Sequence, residues 1–477
     1  MKRFFLTTAI LCAFGTSIFS QNNTAGRLTL QQCIETGIAN NLDVLQSDLQ
    51  AQADEVRWRQ AKLNRLPDLN ASAGYAFNAG RSIDQFTNSY INENNQSSSV
   101  SLGSGVTVFN GFTMQNLVKQ NRFTYEASKM TLQQRKDNLT LSIILAYLQV
   151  LNNEDQLVQA RNQMELTKQQ FDRLEILNKE GAIRPSDLTD IKGQFAGDQV
   201  NIINAQSAVE TAKINLYEFM NIPYDKNVAL ERLDVTSFTT MYADTPDKIY
   251  ETAMQQFAQI KAVNYSTQSA EKAVKVAKGG LFPVLDLNAG INTRYSNTAT
   301  NQIFLNTTDV QSSDYVKVTP TTALPVFKKQ NNYLNENISY LDQLNNNRSS
   351  GVSFDMRIPI FNSFQQRNRI KLAKLDLKNN VLVEKTAKTQ LQRSVEQAYI
   401  NMTAAFDRHK ILLEQVDALT ESFRAAEIRF NSGVGNSYDY LLVKNSLDRA
   451  TINLINAKYD YVLRTKVLDF YKGMKLW

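Results

Sequence analysis

Two stretches decide the fold: Ala61–Gly74, AKLNRLPDLNASAG, and Ala277–Gly290, AKGGLFPVLDLNAG. They share Ala-Lys at the start, a proline (Pro67, Pro283), a leucine two residues on (Leu69, Leu285) and Ala-Gly at the end, and the offset from Pro67 to Pro283 is 216. Glu35-Thr36 meets Glu251-Thr252 at the same offset. Further along, Phe109-Asn110-x-Phe112 meets Phe361-Asn362-x-Phe364 at an offset of 252. That offset then holds without a gap through Ala146-Tyr147 and Ala398-Tyr399, Phe171 and Phe423, Gly181 and Gly433, Asp187 and Asp439, and Asn204-Ala205 and Asn456-Ala457. One spacing kept over nearly a hundred residues is the mark of a duplication. The offsets differ by 36, so the second copy carries an insertion of that length between about Ile291 and Gly351, where Asn, Thr and Ser crowd.

Each copy reads helix, strand, loop, strand, long helix, turn, helix. Thr29 to Arg65 has no proline and one glycine, which predicts a single helix ended by Pro67. Leu69, Ala71, Ala73, Tyr75 and Phe77 then alternate with mostly small or polar residues, the period of two expected of a strand with one apolar face. Val100, Leu102, Val106 and Val108 repeat it, as do Leu285, Leu287, Ala289 and Ile291, and Val352, Phe354, Met356, Ile358 and Ile360. Four such strands cannot close a barrel alone.

From Thr113 to Asn178 there is neither glycine nor proline, which predicts one helix of about 100 Å at 1.5 Å per residue. Its seam runs Leu139, Ile143, Ala146, Val150 and on to Phe171 and Leu174 in alternating steps of four and three, the spacing of knobs-into-holes packing. The second copy gives Leu391, Val395, Ala398, Met402 and on to Phe423 and Ala426. His409 falls on this seam, and a packed structural role is expected for it. Shorter helices, Leu188 to Met220 and Asp439 to Lys472, follow the two long ones.

Composition narrows the function. The 477 residues carry 52 Lys+Arg and 46 Asp+Glu, a net charge of +6, too mild for a nucleic-acid binder. Gly (18) and Pro (8) are scarce, which fits long uninterrupted elements. With one histidine and only Cys12 and Cys33 as thiols, neither a disulfide scaffold nor a Cys-rich zinc site is expected, and no metal, cofactor or catalytic cluster stands out. A basic start (Lys2, Arg3), an apolar stretch from Phe4 to Phe14 and small residues to Ser20 predict a secretory signal peptide cleaved near Ser20. Beyond it the longest apolar run, Leu139 to Leu151, falls short of the ~20 residues of a spanning helix. Membrane residence would therefore require a β-barrel.

The signal peptide, the duplicated unit and the two turns Gly181-Ala-Ile-Arg-Pro-Ser-Asp187-Leu188 and Gly433-Val-Gly-Asn-Ser-Tyr-Asp439-Tyr440 resemble the TolC-like outer-membrane efflux proteins over essentially the whole mature chain. The resemblance implies a mainly α fold with membrane β. Long coiled-coil helices form a periplasmic α-barrel, and four strands per protomer contribute to a twelve-stranded outer-membrane β-barrel in a homotrimer. It implies a passive exit duct serving a periplasmic adaptor and an inner-membrane pump, in contact with outer-membrane lipid. The expected organisation is a signal peptide at 1–20, a first repeat at 21–221, a linker and equatorial segment at 222–246, a second repeat at 247–473 with a longer extracellular loop at about 292–350, and a short end at 474–477.

Carried over by position, Gly181, Arg184, Ser186, Asp187, Leu188, Gly433, Asn436 and Tyr440 belong to the periplasmic tip that docks the adaptor, and Asp439 is the candidate pore constriction. The two glycines are expected at positive φ, and Asp187 and Asp439 are expected to cap the helices they open. The family's second acidic ring falls at Leu442. A soluble periplasmic coiled-coil adaptor is the competing reading, and the paired alternating strands count against it. An envelope enzyme ranks last, because no nucleophile, base and orienter cluster together.

Overall fold

The computed structural model describes residues 27–83, 88–92, 94–233 and 240–474. The expected signal peptide and residues 475–477 of the expected C-terminal end lie outside the described residues. In the first repeat the elements are α1 (Leu30–Asn40), α2 (Leu42–Leu63), β1 (Asn70–Asn78), β2 (Arg81–Ile83), β3 (Tyr90–Asn92), β4 (Asn95–Phe109), α3 (Thr113–Lys179) and α4 (Pro185–Met220). The second repeat gives α5 (Pro246–Gln256), α6 (Ala258–Gly279), β5 (Val284–Ser296), β6 (Thr300–Thr319), β7 (Thr322–Asn337), α7 (Tyr340–Asn346), β8 (Ser349–Arg357), α8 (Gln365–Asn431) and α9 (Ser437–Tyr471). The chain divides into two units. One comprises Met1–Gln50, Lys129–Lys261 and Thr386–Trp477, and the other Ala51–Ser128 and Ala262–Lys385.

The first unit is helical. Its core gathers Leu30, Cys33, Ile143, Tyr147, Leu216, Met220, Ile249, Val395, Met402 and Leu468, all buried, and every residue named above on the two seams is buried or half-buried. Half-buried His409 packs there, its imidazole pushed below its ordinary range by burial and then by the charge of Lys458. Thr29 opens α1 with a capping box, its hydroxyl accepting from the Gln32 amide while the Gln32 side chain accepts from the Thr29 amide. Leu28 pairs with Leu230 in a parallel bridge, and the Tyr147 hydroxyl lies 3.0 Å from the Leu28 carbonyl and 2.6 Å from that of Glu231.

The single helix expected over Thr29–Arg65 is two helices. Asn41 is extended at ψ 124. Its side-chain oxygen accepts from the amides of Asp43 and Val44, which starts α2 afresh, and its amide nitrogen donates to the Phe219 carbonyl. The second copy breaks at Phe257, also extended, whose buried ring packs against Phe470 and Tyr471. Tertiary contacts override helix propensity at both places.

The second unit holds a four-stranded antiparallel sheet in the order β1-β4-β5-β8. The repeats fuse at β4 and β5, with Leu102 opposite Ile291 and Val106 opposite Leu287. Because side chains alternate, register places Tyr75, Val100, Leu102, Leu287, Ile291, Val352 and Phe354 on one face. That face is exposed along much of its length. The other face carries Ser101, Gly103, Asp286, Asn288 and Asp355, with Thr107 bonded to Asp286 and Asn288 to Asp355. Among the described residues no strand pairs with the outer edges of β1 and β8.

The insertion expected as an Asn-rich loop is instead a long hairpin, β6 with β7, followed by α7. Its asparagines form a cross-strand ladder, Asn332 donating to Asn306 and Thr308, and Thr307 to Asn331. Polar residues of low strand propensity hid it from the hydrophobic pattern.

The strand-to-helix corner after β4 crosses the one before β5 backbone to backbone. Gly111 has φ +64, and a Cβ on Gly279 would stand 2.1 Å from Thr113 Oγ1 and 2.9 Å from the Gly111 carbonyl. Gly279→Ala is expected to lower stability by about 1–3 kcal/mol. Gly351→Ala, where a Cβ meets nothing within 4 Å, should stay within about 0.5 kcal/mol of the parent; thermal unfolding of the two variants checks this.

Candidate functional site

Two turns close the helical hairpins of the first unit, one from α3 to α4 and one from α8 to α9. Each long helix ends on a glycine in the left-handed region, Gly181 at φ +71 and Gly433 at φ +74. The Ala182 amide returns to the Leu177 carbonyl and the Val434 amide to that of Arg429. Only glycine adopts that conformation cheaply. A recess of about 650 Å³ between the turns is lined by residues of both, among them Arg173, Arg184, Asp187, Asn431 and Asp439.

The helix starts differ from expectation. Asn436 caps α9, its side-chain oxygen accepting from the Asp439 amide at 2.7 Å. Arg184 occupies the cap position of α4 without a side-chain bond, and Pro185 follows it. Neither Asp187 nor Asp439 is a cap. Each sits three residues later in the first turn, where its charge meets the positive end of the helix. An asparagine cap presents its oxygen to free amides as well as an aspartate does, so Asn436 displaces Asp439 from that role.

Asp187 has another partner. The buried Ser437 hydroxyl lies 2.8 Å from Asp187 Oδ1 and 2.8 Å from Asp190 Oδ2, tying the α8–α9 turn to the first two turns of α4. Arg173, near the end of α3, reaches across to the side chain and the carbonyl of Asn431 at the end of α8. Beneath these contacts Leu174, Ile191 and Tyr440 form a small apolar core, with Leu188 and Ile183 partly buried against it. Tyr440 is 1% exposed; it stacks on Phe430 at 4.9 Å and meets Phe423 at a tilt, 5.6 Å between centroids. Burial first, and then the charge of Glu427, pushes its hydroxyl above the ordinary range. Tyr440 therefore packs the hairpin ends together and presents no docking surface of its own. Gly181, Arg184, Ser186, Asn436 and Asp439 are exposed, as are Val434, Tyr438 and Leu442.

Further along α4 and α9 lies a buried charge cluster. Lys444 Nζ is 2.7 Å from Asp448 and 3.4 Å from Asp198, and Lys444 and Asp198 are both about 2% exposed. Thr167 donates to Asp198 at 2.6 Å and Gln194 at 2.8 Å. Burial, outweighing the attraction of Lys444, holds the Asp448 carboxyl above the usual carboxylate range.

The family model for outer membrane efflux proteins matches residues 33–221 and 249–473. The chain belongs to the outer membrane efflux protein family. It is 22% identical over 458 residues to the outer membrane protein TolC of Escherichia coli (strain K12), covering 95% of this chain and 83% of that protein. To the outer membrane protein TolC of Vibrio cholerae serotype O1 (strain ATCC 39315 / El Tor Inaba N16961) it is 25% identical over 412 residues, covering 83% and 80%. Among solved structures, the fold is similar to that of CusC, with a TM-score of 0.75 at 15% identity over 94% of this chain and 92% of that one. The protein is accordingly an outer-membrane efflux channel that extends into the periplasm, and not an enzyme.

For this outer membrane efflux protein, the sequence placed the turn glycines and aspartates but missed Ser437, Asp190, Arg173 and Asn431. The spacing of Asp187 and Asp190, one helical turn apart, was visible. Their partner lies 250 residues away along the chain, and no local pattern marks it.

Ser437→Ala removes a hydroxyl bonded to charged acceptors and is expected to cost about 1.5–3 kcal/mol, with faster proteolysis at the two turns. Lys444→Met leaves buried Asp198 unpaired and should cost about 3–5 kcal/mol in thermal or denaturant unfolding, with part recovered by adding Asp198→Asn.

Proposed function

We propose that three copies of the chain assemble into an exit duct. The outer edge of β8 in one protomer pairs with that of β1 in the next, so that three four-stranded sheets close a twelve-stranded barrel. The observation that carries this reading is the combination of two sheet edges that stay unpaired among the described residues with an apolar face left exposed there. In hydrocarbon, closure is the way a sheet satisfies its edge N–H and C=O groups. The chain is organised for export as a cleaved signal at 1–20, repeats at 21–221 and 247–473, a linker at 222–246 and an extracellular segment at about 292–350.

The helices then form the periplasmic part of the duct, and the two turns its periplasmic end. There Gly181, Arg184, Ser186, Asp187, Leu188, Gly433 and Asn436, with exposed Val434 and Tyr438, form the surface that docks a periplasmic adaptor bound to an inner-membrane pump. Conduction is passive, and energy comes from the pump. Asp439, exposed in the first turn of α9, rings the narrowest point as three carboxylates and focuses negative potential there. Leu442 one turn on supplies no second acidic ring, so the cation preference is modest.

Detergent-extracted protein from the outer membrane should have about three times the 54.0 kDa chain mass and fall to monomer on heating. A soluble periplasmic monomer would overturn the duct. In planar bilayers the Asp439→Ala channel should lose cation preference at unchanged open-channel size. An unchanged preference would remove Asp439 from the constriction.

A further inference from the structure

The helix α7 belongs to the insertion, yet it is fixed firmly to the sheet. Gln343, 1% exposed, donates to the carbonyls of Ser296 and Ile338, and its side-chain oxygen accepts from the Ser296 amide. Thr293 Oγ1 donates to the Leu344 carbonyl, Asn347 donates to the Arg294 carbonyl, and Ser98 Oγ donates to the Tyr340 hydroxyl at 3.0 Å. The Tyr340 ring packs on Tyr295 at 4.7 Å between centroids.

These contacts identify the face on which α7 lies. Thr293 and Tyr295 share a side of β5 with Leu287, Ala289 and Ile291, because residues two apart along a strand point the same way. Ser98, opposite Tyr295, shares a side of β4 with Val100 and Leu102. The helix therefore sits on the apolar face of the sheet and not on the face of Asp286, Asn288 and Asp355. Register also gives its level. Tyr295 lies opposite Ser98 and Ser98 opposite Tyr75, with Phe77 two residues beyond, at the strand ends farthest from the helix junctions at Pro67, Thr113 and Pro283. Tyr75, Phe77, Tyr295 and Tyr340 thus form an aromatic row where the apolar face ends, the position of interfacial aromatics on outer-membrane barrels.

Tyr340, Leu341 and Leu344 fall within one arc of about 100° around the helix. Leu344 is half-buried, Tyr340 is 45% exposed and Leu341 is 75% exposed. We propose that α7 is a membrane-seated element on the outside of the barrel, with Leu341 and Tyr340 in the headgroup and upper acyl region of the outer leaflet. The occupant of this surface is lipid, because the surface is continuous with the apolar face that spans the bilayer; the inference rests on the barrel reading above. The insertion thereby leaves β5, forms its hairpin, and returns to β8 across the lipid side of the rim rather than across the pore.

Nitroxide labels on the full chain, reconstituted in phosphatidylethanolamine–phosphatidylglycerol vesicles, test this. Single cysteines are introduced as Leu341→Cys, Val352→Cys on the apolar face, and Lys328→Cys on the β6–β7 hairpin. Collision rates are then measured with oxygen, which partitions into lipid, and with a water-soluble nickel chelate. The expected oxygen-to-nickel ratio at position 341 exceeds that at 328 several-fold and approaches that at 352. A ratio at 341 equal to that at 328 would place α7 in water and overturn the proposal. Shielding of 341 from both reagents would overturn it in favour of a protein contact. A water-like ratio at 352 would instead overturn the barrel reading itself.

Discussion

A peptide N–H in hydrocarbon has no water to bind, and the cost of leaving it bare is several kcal/mol. That constraint organises the sheet-bearing unit. Each repeat supplies two strands, and the β4–β5 pairing merges the copies into one sheet without a loop between them. Among the described residues the outer edges of β1 and β8 remain unpaired, and the proposed trimer closes them. Alternation makes one face apolar and the other polar, with Asp286, Asn288 and Asp355 bonded among neighbouring strands on the polar side.

The helical unit obeys a different logic. Its long seams are held by ordinary burial of Ile143, Tyr147, Val395 and Met402. The hairpin ends depend on directional contacts: Asn436 on the Asp439 amide, Ser437 on two carboxylates and Arg173 on Asn431. The buried Lys444 adds a register mark, because sliding α9 past α4 would strand it and Asp198 without partners. An unpaired charge inside a protein costs more than a good pair contributes.

Most of the architecture was legible because its signals are periodic. Two fixed offsets exposed the duplication, the absence of glycine and proline from Thr113 to Asn178 announced α3, and alternation located β1, β4, β5 and β8 within a few residues. What escaped depends on contacts between distant residues. The breaks at Asn41 and Phe257 are stabilised by Phe219 and Phe470, and Ser437 meets carboxylates from the other repeat. The β6–β7 hairpin escaped for another reason, since Asn and Thr pair across it by side-chain hydrogen bonds and register shifts interrupt the alternation of its apolar residues. At the turns, the glycines were readable from backbone conformation, whereas the identity of the cap was not, since Asn and Asp cap about equally well.

The core of the helical unit also fixes the redox character of Cys33. Cys33, on the inner side of α1, is fully buried, and desolvation pushes its thiol up to about 12. The thiolate is the form that attacks disulfides and takes up oxidants, so at neutral pH this sulfur is nearly inert although it faces an oxidising compartment. Copies brought together in the proposed trimer are thereby spared cross-links through Cys33. Any cysteine placed elsewhere on the surface will be the one that reacts.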